Sequence, residues 1–519
     1  MVHFNKKLLT AAVSSAVFAA AGSASAVVLN PDGVGEALIY PYYTAQGNNA
    51  TFVSIVNTTT QAKVVKVRFR EAKNSNDVLD FNLYLSPYDV WTGVVTRNAQ
   101  GGARLSTNDT SCTDPAKADW GSAGGGVYYV DFFPFDYRTV DGDATQGLGR
   151  TLEGYMEVIE MATIPPSNTT LFNAIKHNPT TGRPTCTGVA GTIGTTGLSA
   201  PTGGLFGGGA IVDLSASASG GMAVGYGASA YGDFNRTAEI FAPSAASPNF
   251  ADHGSTEATI ITQRNNVIRV GSLNTGRLAR AEAFAMVNMG ERLVGEYSID
   301  KANVRAHGTD WVITFPGKHY FTNRVTWLTN AGDPHGEVAA TATAALPPFT
   351  TIWDRTNRRA CEVLVPTSTS REEDRETTRS TFSPQPPGPA DNQLCFETNV
   401  ISFGTNPATT GSAPSSVFGA SDTLWYLGNH DRNDSGWLDL DLTRNRAGTI
   451  IHSLQARYLG GFPALPAPSG SVTVLGLPVI GFKATVSRVT SSPTLPLNNY
   501  ADGNPLHPLR TVRIGGTDY

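Results

Sequence analysis

Charge is scarce in this chain. Of 519 residues, Lys and Arg supply 38 and Asp and Glu 43, so 16% are charged, against ~25% in an ordinary soluble domain. No basic run is present, which speaks against a nucleic-acid partner, and the mildly negative net charge of −5 suits solubility. Beyond the N-terminal segment no apolar run reaches the ~20 residues of a spanning helix, so no transmembrane segment is expected in the mature chain. No two of the four cysteines stand at CxxC spacing, which disfavours a Cys-based metal site. HxH and HExxH are missing too: His177, His253, His307, His319, His335, His430, His452 and His507 are scattered. There is no GxSxG nucleophile elbow; "SASGG" at 217–221 is the nearest look-alike, and no helix pattern succeeds it. "GYGASA" at 225–230 has the loose GxGxxA spacing of a dinucleotide loop, but the residues after it do not read as the helix that would receive the phosphates. These absences point away from an enzyme, and nothing in the sequence requires a cofactor.

The N-terminus is more informative. Lys6 and Lys7 precede an apolar stretch from Leu8 to Ala21 and the small residues Ala24, Ser25 and Ala26. That is the pattern of a secretory signal peptide, residues 1–26, cut between Ala26 and Val27. Export to the cell surface or medium is expected, with the periplasm as the alternative. In an oxidising compartment Cys112, Cys186, Cys361 and Cys395 should form two disulfides. Chain order favours Cys112 with Cys186 and Cys361 with Cys395, although four cysteines allow three connectivities.

Behind the signal lie short runs rich in β-branched and aromatic residues: "EALIYPYYTA", "ATFVSIVNTT", "KVVKVRFREA" and "LDFNLYLSPYDVWTGVVT". In the third, Val65, Val67 and Phe69 alternate with Lys66, Arg68 and Arg70, as in a strand with one buried face. Residues 27–98 therefore read as an immunoglobulin-like β domain. A β-rich middle region, 99–345, contains a loop-like stretch from Pro165 to Gly204 and one helix candidate, 278–287, behind the cap-like Asn274 and Thr275. Residues 346–519 return to strands. The expected fold is mainly β, two or three immunoglobulin-like β-sandwich units with one short helical segment.

Carboxylates occur in "EGYMEVIEM", where alternation puts Glu153, Tyr155 and Glu157 on one face and Glu160 on the other, the habit of an edge or interface strand. "REEDRE" at 371–376 mixes both signs and reads as a solvated loop. The sharpest motif is "NHDRNDSGWLDLDL", Asn429 to Leu442. Asp431, Asn433, Ser435 and Gly436 match the first half of an EF-type calcium loop, but the twelfth position is Leu442 instead of a bidentate acid. Leu438, Leu440 and Leu442 alternate with Trp437, Asp439 and Asp441, as in a half-buried strand. A looser calcium site of Asp431, Asn433, Ser435 and Asp439 competes with a plain Asx-type turn. Trp425, Tyr426 and Trp437 flank it, as core residues or as a platform for sugar.

"GEALIYPYYT", "FNLYLSPYDVWTG", "EGYMEVIEM", "CFETNVISF" and "LPVIGF" resemble exported proteins of Gram-negative bacteria known as hypothetical or presumed cell-surface proteins. The resemblance runs along most of the mature chain and implies location without an activity. The expected function is a secreted structural or adhesive protein of the bacterial surface, such as a surface-layer component, whose partners are further copies or other surface components. The alternatives are a calcium-assisted polysaccharide-binding module and, third, an exported hydrolase.

Overall fold

A computed structural model describes residues 26–519 apart from 140, 142–144, 146, 190–193, 215–221, 235–236, 246, 253–254, 301, 324, 330–337, 374, 377–380, 384–391, 405–407, 409–412, 428–433, 466–469 and 489–499. The chain is mainly β, built of a 13-stranded sheet, a seven-stranded sheet, two six-stranded sheets and two short ribbons. Strands from 27–98, 99–345 and 346–519 all enter the 13-stranded sheet.

One end of that sheet, in the order Ser229–Gly232, Ala37–Thr44, Glu153–Ile164, Ala62–Glu71, Asp77–Leu85 and Cys112–Asp114, faces the seven-stranded sheet. The latter runs Ala223–Gly227, Leu205–Asp213, Asn49–Asn57, Val90–Arg97, Ala103–Thr107, Val127–Asp131 and Gly121–Gly124. Val65, Val67 and Phe69 pack in the layer between them with Tyr43, Ile55, Trp91, Leu105 and Val158, as the alternation predicts. The sandwich begun by 27–98 is thus completed by strands from further along the chain. A second sandwich sets the six-stranded sheet of Arg292–Ser298, Ser435–Asp441 and Glu362–Ser370 on that of His307–Thr314, Thr398–Phe403 and Ile480–Ser487. Tyr297 and Phe403 stack across it at 4.7 Å between ring centroids.

The expected helix spans Gly276–Asn288 and lies against Val27–Leu29, Glu257–Ile261 and Val267–Ser272. Thr275 occupies its N-cap without a side-chain bond, while Asn274 donates to Glu282 at 2.8 Å. From Ala281 to Asn288 every residue is buried, the mark of a helix enclosed on all sides. Among the described residues three shorter α-helices accompany it: Phe135–Thr139, Thr169–Ile175 and Lys318–Thr322. Thr169–Ile175 falls in the stretch read as loop; Asn168 caps it by accepting from the Leu171 amide. Both disulfides form in chain order, Cys112–Cys186 and Cys361–Cys395. They close loops of 74 and 34 residues, each worth about 4 kcal/mol of unfolded-state entropy in the chain model.

Two readings are corrected. Glu153–Ile164 is not an edge strand: it lies between Ala37–Thr44 and Ala62–Glu71 and is buried throughout. Ala62–Glu71 is buried on both faces, not one. Residues 242–245 and 247–248 cross over Lys66 and Arg68 and supply backbone acceptors. Lys66 Nζ donates to the Ala242 and Pro243 carbonyls at 3.0 and 2.6 Å, and Arg68 to those of Pro248 and Ala245 at 3.0 Å each. Carboxylates fill the remaining directions. Asp77 lies 3.0 Å from Arg68 Nε and 2.6 Å from Arg70 Nη1, and Glu157 lies 2.8 Å from Arg70 Nε.

The network continues into the second sandwich. The Tyr155 hydroxyl donates to Glu397 at 3.1 Å, and Glu397 also accepts from the Gly317 and His319 amides at 2.8 and 3.0 Å. Burial opposes the Glu397 carboxylate, but His319 beside it holds its pKa below the ordinary value.

Burial pushes the Lys66 ammonium down to about 8, against the pull of Asp80. Between that value and the ordinary ~10.4 the unfolded chain binds more protons, so this residue adds stability as pH rises. The difference in unfolding free energy between wild type and Lys66→Met should therefore shift in favour of the wild type from about pH 8 to about pH 10. Denaturant titrations across that range check it; a constant difference would contradict it.

Candidate functional site

Two of the residues singled out for calcium, Asp431 and Asn433, lie outside the described residues. Ser435 opens the strand Ser435–Asp441, and Asp439 stands four residues later, about 13 Å along an extended chain. Asp439 is buried and accepts from Arg292 Nε at 2.9 Å, with Arg292 Nη2 also against it. Its carboxylate is thus engaged by a guanidinium. Leu438, Leu440 and Leu442 are buried, as the alternation predicts.

The neighbouring aromatics divide. Trp425 and Tyr426 are fully buried, and Trp425 Nε1 donates to the Ala413 carbonyl at 3.0 Å. Trp437 instead stands on the outer face of its sheet, 42% exposed. Its cross-strand neighbours are Glu296 and Thr369, with Ser298 opposite Ser435 on the same face. The Glu296 carboxylate pairs with Lys483 and the Ser298 hydroxyl lies 2.8 Å from His307 Nε2, so it is the exposed indole that offers a stacking surface for a sugar ring.

A second exposed face belongs to the seven-stranded sheet. Phe206, Val56 and Val90 form one cross-strand row and Ala210, Phe52 and Val94 the next. Phe52, Val90 and Phe206 are 47%, 48% and 41% exposed. Ser54, Thr92 and Gly208 lie between these rows, so no charge interrupts them. The strand carrying Phe206 can lie this close because Gly207 has no side chain: a Cβ there would overlap the Tyr40 hydroxyl and the Ser54 carbonyl, which are bonded to each other at 2.5 Å. Contiguous apolar surface of this kind marks interaction sites. Alternation within each strand was readable from sequence, but which face the partner sheet would cover was not.

Of the carboxylates considered for catalysis, Glu153 lines a small cleft with Glu71, Lys73, Arg150 and Asp422, and the others described are engaged within the fold or on its surface. Glu157 serves Arg70, and Glu160 accepts from Lys63 at 2.8 Å and the Gly203 amide at 2.9 Å. Glu153, its pKa raised by burial, accepts from Tyr42 and the Ser421 amide at 3.0 and 2.9 Å. Arg371 and Glu372 are exposed and pair at 2.9 Å. "GYGASA" spans parts of two strands, Ala223–Gly227 and Ser229–Gly232, and among the described residues no helix directly follows to receive phosphates. An open cleft of about 480 Å³ lies beside Cys112–Cys186. Two of its polar side chains are engaged locally: Lys117 Nζ donates to the Ser111 carbonyl at 2.6 Å, and the Asp109 carboxylate accepts from the Ser111 amide at 2.8 Å. Among the described residues no group of three His, Cys, Asp or Glu side chains is placed to hold a metal ion, and no helix is long and apolar enough to cross a membrane.

No protein-family model matches this chain, and neither a curated protein nor a solved structure does, so any functional reading rests on these two sheet faces.

Proposed function

We propose that the protein is a secreted structural or adhesive component of the bacterial cell surface, joined to further copies or to other surface components through the outer face of the seven-stranded sheet. The two uncharged rows around Phe52 and Phe206 carry this reading. The signal-like N-terminus and two disulfides are consistent with it. Sedimentation and electron microscopy of the mature chain should show ordered assemblies, and Phe52→Lys with Phe206→Lys should abolish them while far-UV dichroism stays unchanged. A chain that is strictly monomeric at all concentrations would contradict self-association.

A second reading, polysaccharide binding, is favoured by exposed Trp437 among Thr369, Ser298, Ser435 and Glu296. Calcium would assist if Asp431 and Asn433 complete a site beside Ser435. On a glycan array probed with and without chelator, Trp437→Ala should weaken retention by about tenfold or more, since a stacking aromatic contributes on the order of 1–2 kcal/mol. Wild-type protein that retains no glycan under either condition removes this reading.

A further inference from the structure

We propose that His452 is a buried imidazolium, a proton-dependent latch that joins the 13-stranded sheet to the second sandwich and opens as pH rises. Its ring has no exposed surface. Nδ1 lies 3.0 Å from the carbonyl oxygen of Pro348, and Nε2 lies 3.2 Å from that of Val363. Both partners are backbone carbonyls, which accept hydrogen bonds and cannot donate them. A neutral imidazole carries one N–H and one bare lone pair, so either tautomer would set a lone pair against a carbonyl oxygen. Only the doubly protonated ring donates to both.

The surroundings supply the counter-charge. Glu362 Oε2 lies 3.7 Å from Nδ1, and both side chains are fully buried. Glu362 is itself fixed by the Thr350 amide at 3.0 Å, the Thr350 hydroxyl at 2.6 Å and the Thr351 amide at 3.2 Å. Beyond it, on the helix Lys318–Thr322, the buried Lys318 ammonium donates to the Ala360 carbonyl at 2.6 Å and feels both Glu362 and Glu397. On the segment whose Thr443 carbonyl accepts the His452 amide, Asp441 and Arg444 pair with each other at 3.5 Å.

His452 directly precedes the strand Ser453–Phe462 of the 13-stranded sheet, whereas Val363 belongs to Glu362–Ser370 of a six-stranded sheet. One ring proton therefore spans two sheets. A ring that loses one of its protons leaves one of the two carbonyls facing a lone pair, so deprotonation weakens the contribution of His452. Lys318 acts in the opposite sense. Burial pushes it down to about 8, so it adds stability as pH rises above that value. Global stability mixes the two, and a site-specific readout is required.

Ring ¹⁵N NMR of the histidine-labelled mature protein gives that readout, with the His452 signals assigned by their absence in His452→Gln. At about pH 7.5, above the ordinary imidazole value, both nitrogens of His452 should be protonated. Raising the pH further should accelerate amide exchange in 453–462 and 362–370 by about tenfold beyond the intrinsic pH effect, and His452→Gln should lack that acceleration. A neutral His452 ring at about pH 7.5 overturns the proposal. Should His452→Gln not fold, the wild-type ring signals slowest to exchange with solvent decide the question alone.

Discussion

Arg68 and Arg70 are shut away from water on one face of a strand, and the rest of the architecture answers to them. An isolated buried guanidinium is costly enough that each needs both a counter-charge and backbone acceptors. Asp77 and Glu157 supply the charge, touching both arginines in close ionic contacts without ideal hydrogen-bond alignment. The carbonyls of Ala245 and Pro248 complete Arg68, and that of Ser75 completes Arg70. Each partner fixes a different piece of chain: the neighbouring strands, a tight turn and a crossing segment. Through Tyr155 and Glu397 the same layer reaches the second sandwich.

Much of the fold was legible in the sequence because local pattern and tertiary environment agree. Val65, Val67 and Phe69 alternate into the core, Leu438 to Leu442 do the same, and the disulfides follow chain order. The misreadings share one cause. Lys66 and Arg68 look like the wet face of a strand because their cover comes from 242–245 and 247–248, some 180 residues away. Glu153 to Glu160 looked like an edge because carboxylates in a central strand survive only with partners, here Arg70 and Lys63 among them, that alternation does not reveal.

The candidate surfaces were harder to read for a related reason. Trp425 and Trp437 are equally hydrophobic and twelve residues apart in sequence, yet one is core and the other exposed. Phe52 and Phe206 have a spacing consistent with either face, and the register that lines them up with Val94 and Val56 is a property of the assembled sheet. A scaffold fixed internally by ion pairs and disulfides can present flat, weakly charged faces without relying on them for its own stability.

The claim that the buried ionic layer organises the molecule is tested most directly by a double-mutant cycle on Arg70 and Glu157, read by equilibrium denaturation. Arg70→Met and Glu157→Gln should each cost about 3–5 kcal/mol, because each takes the nearer of two ionic partners from a buried charge or unbalances the buried cluster. The double variant should cost clearly less than their sum. Single costs below about 1 kcal/mol that simply add, as for exposed pairs, would contradict the account.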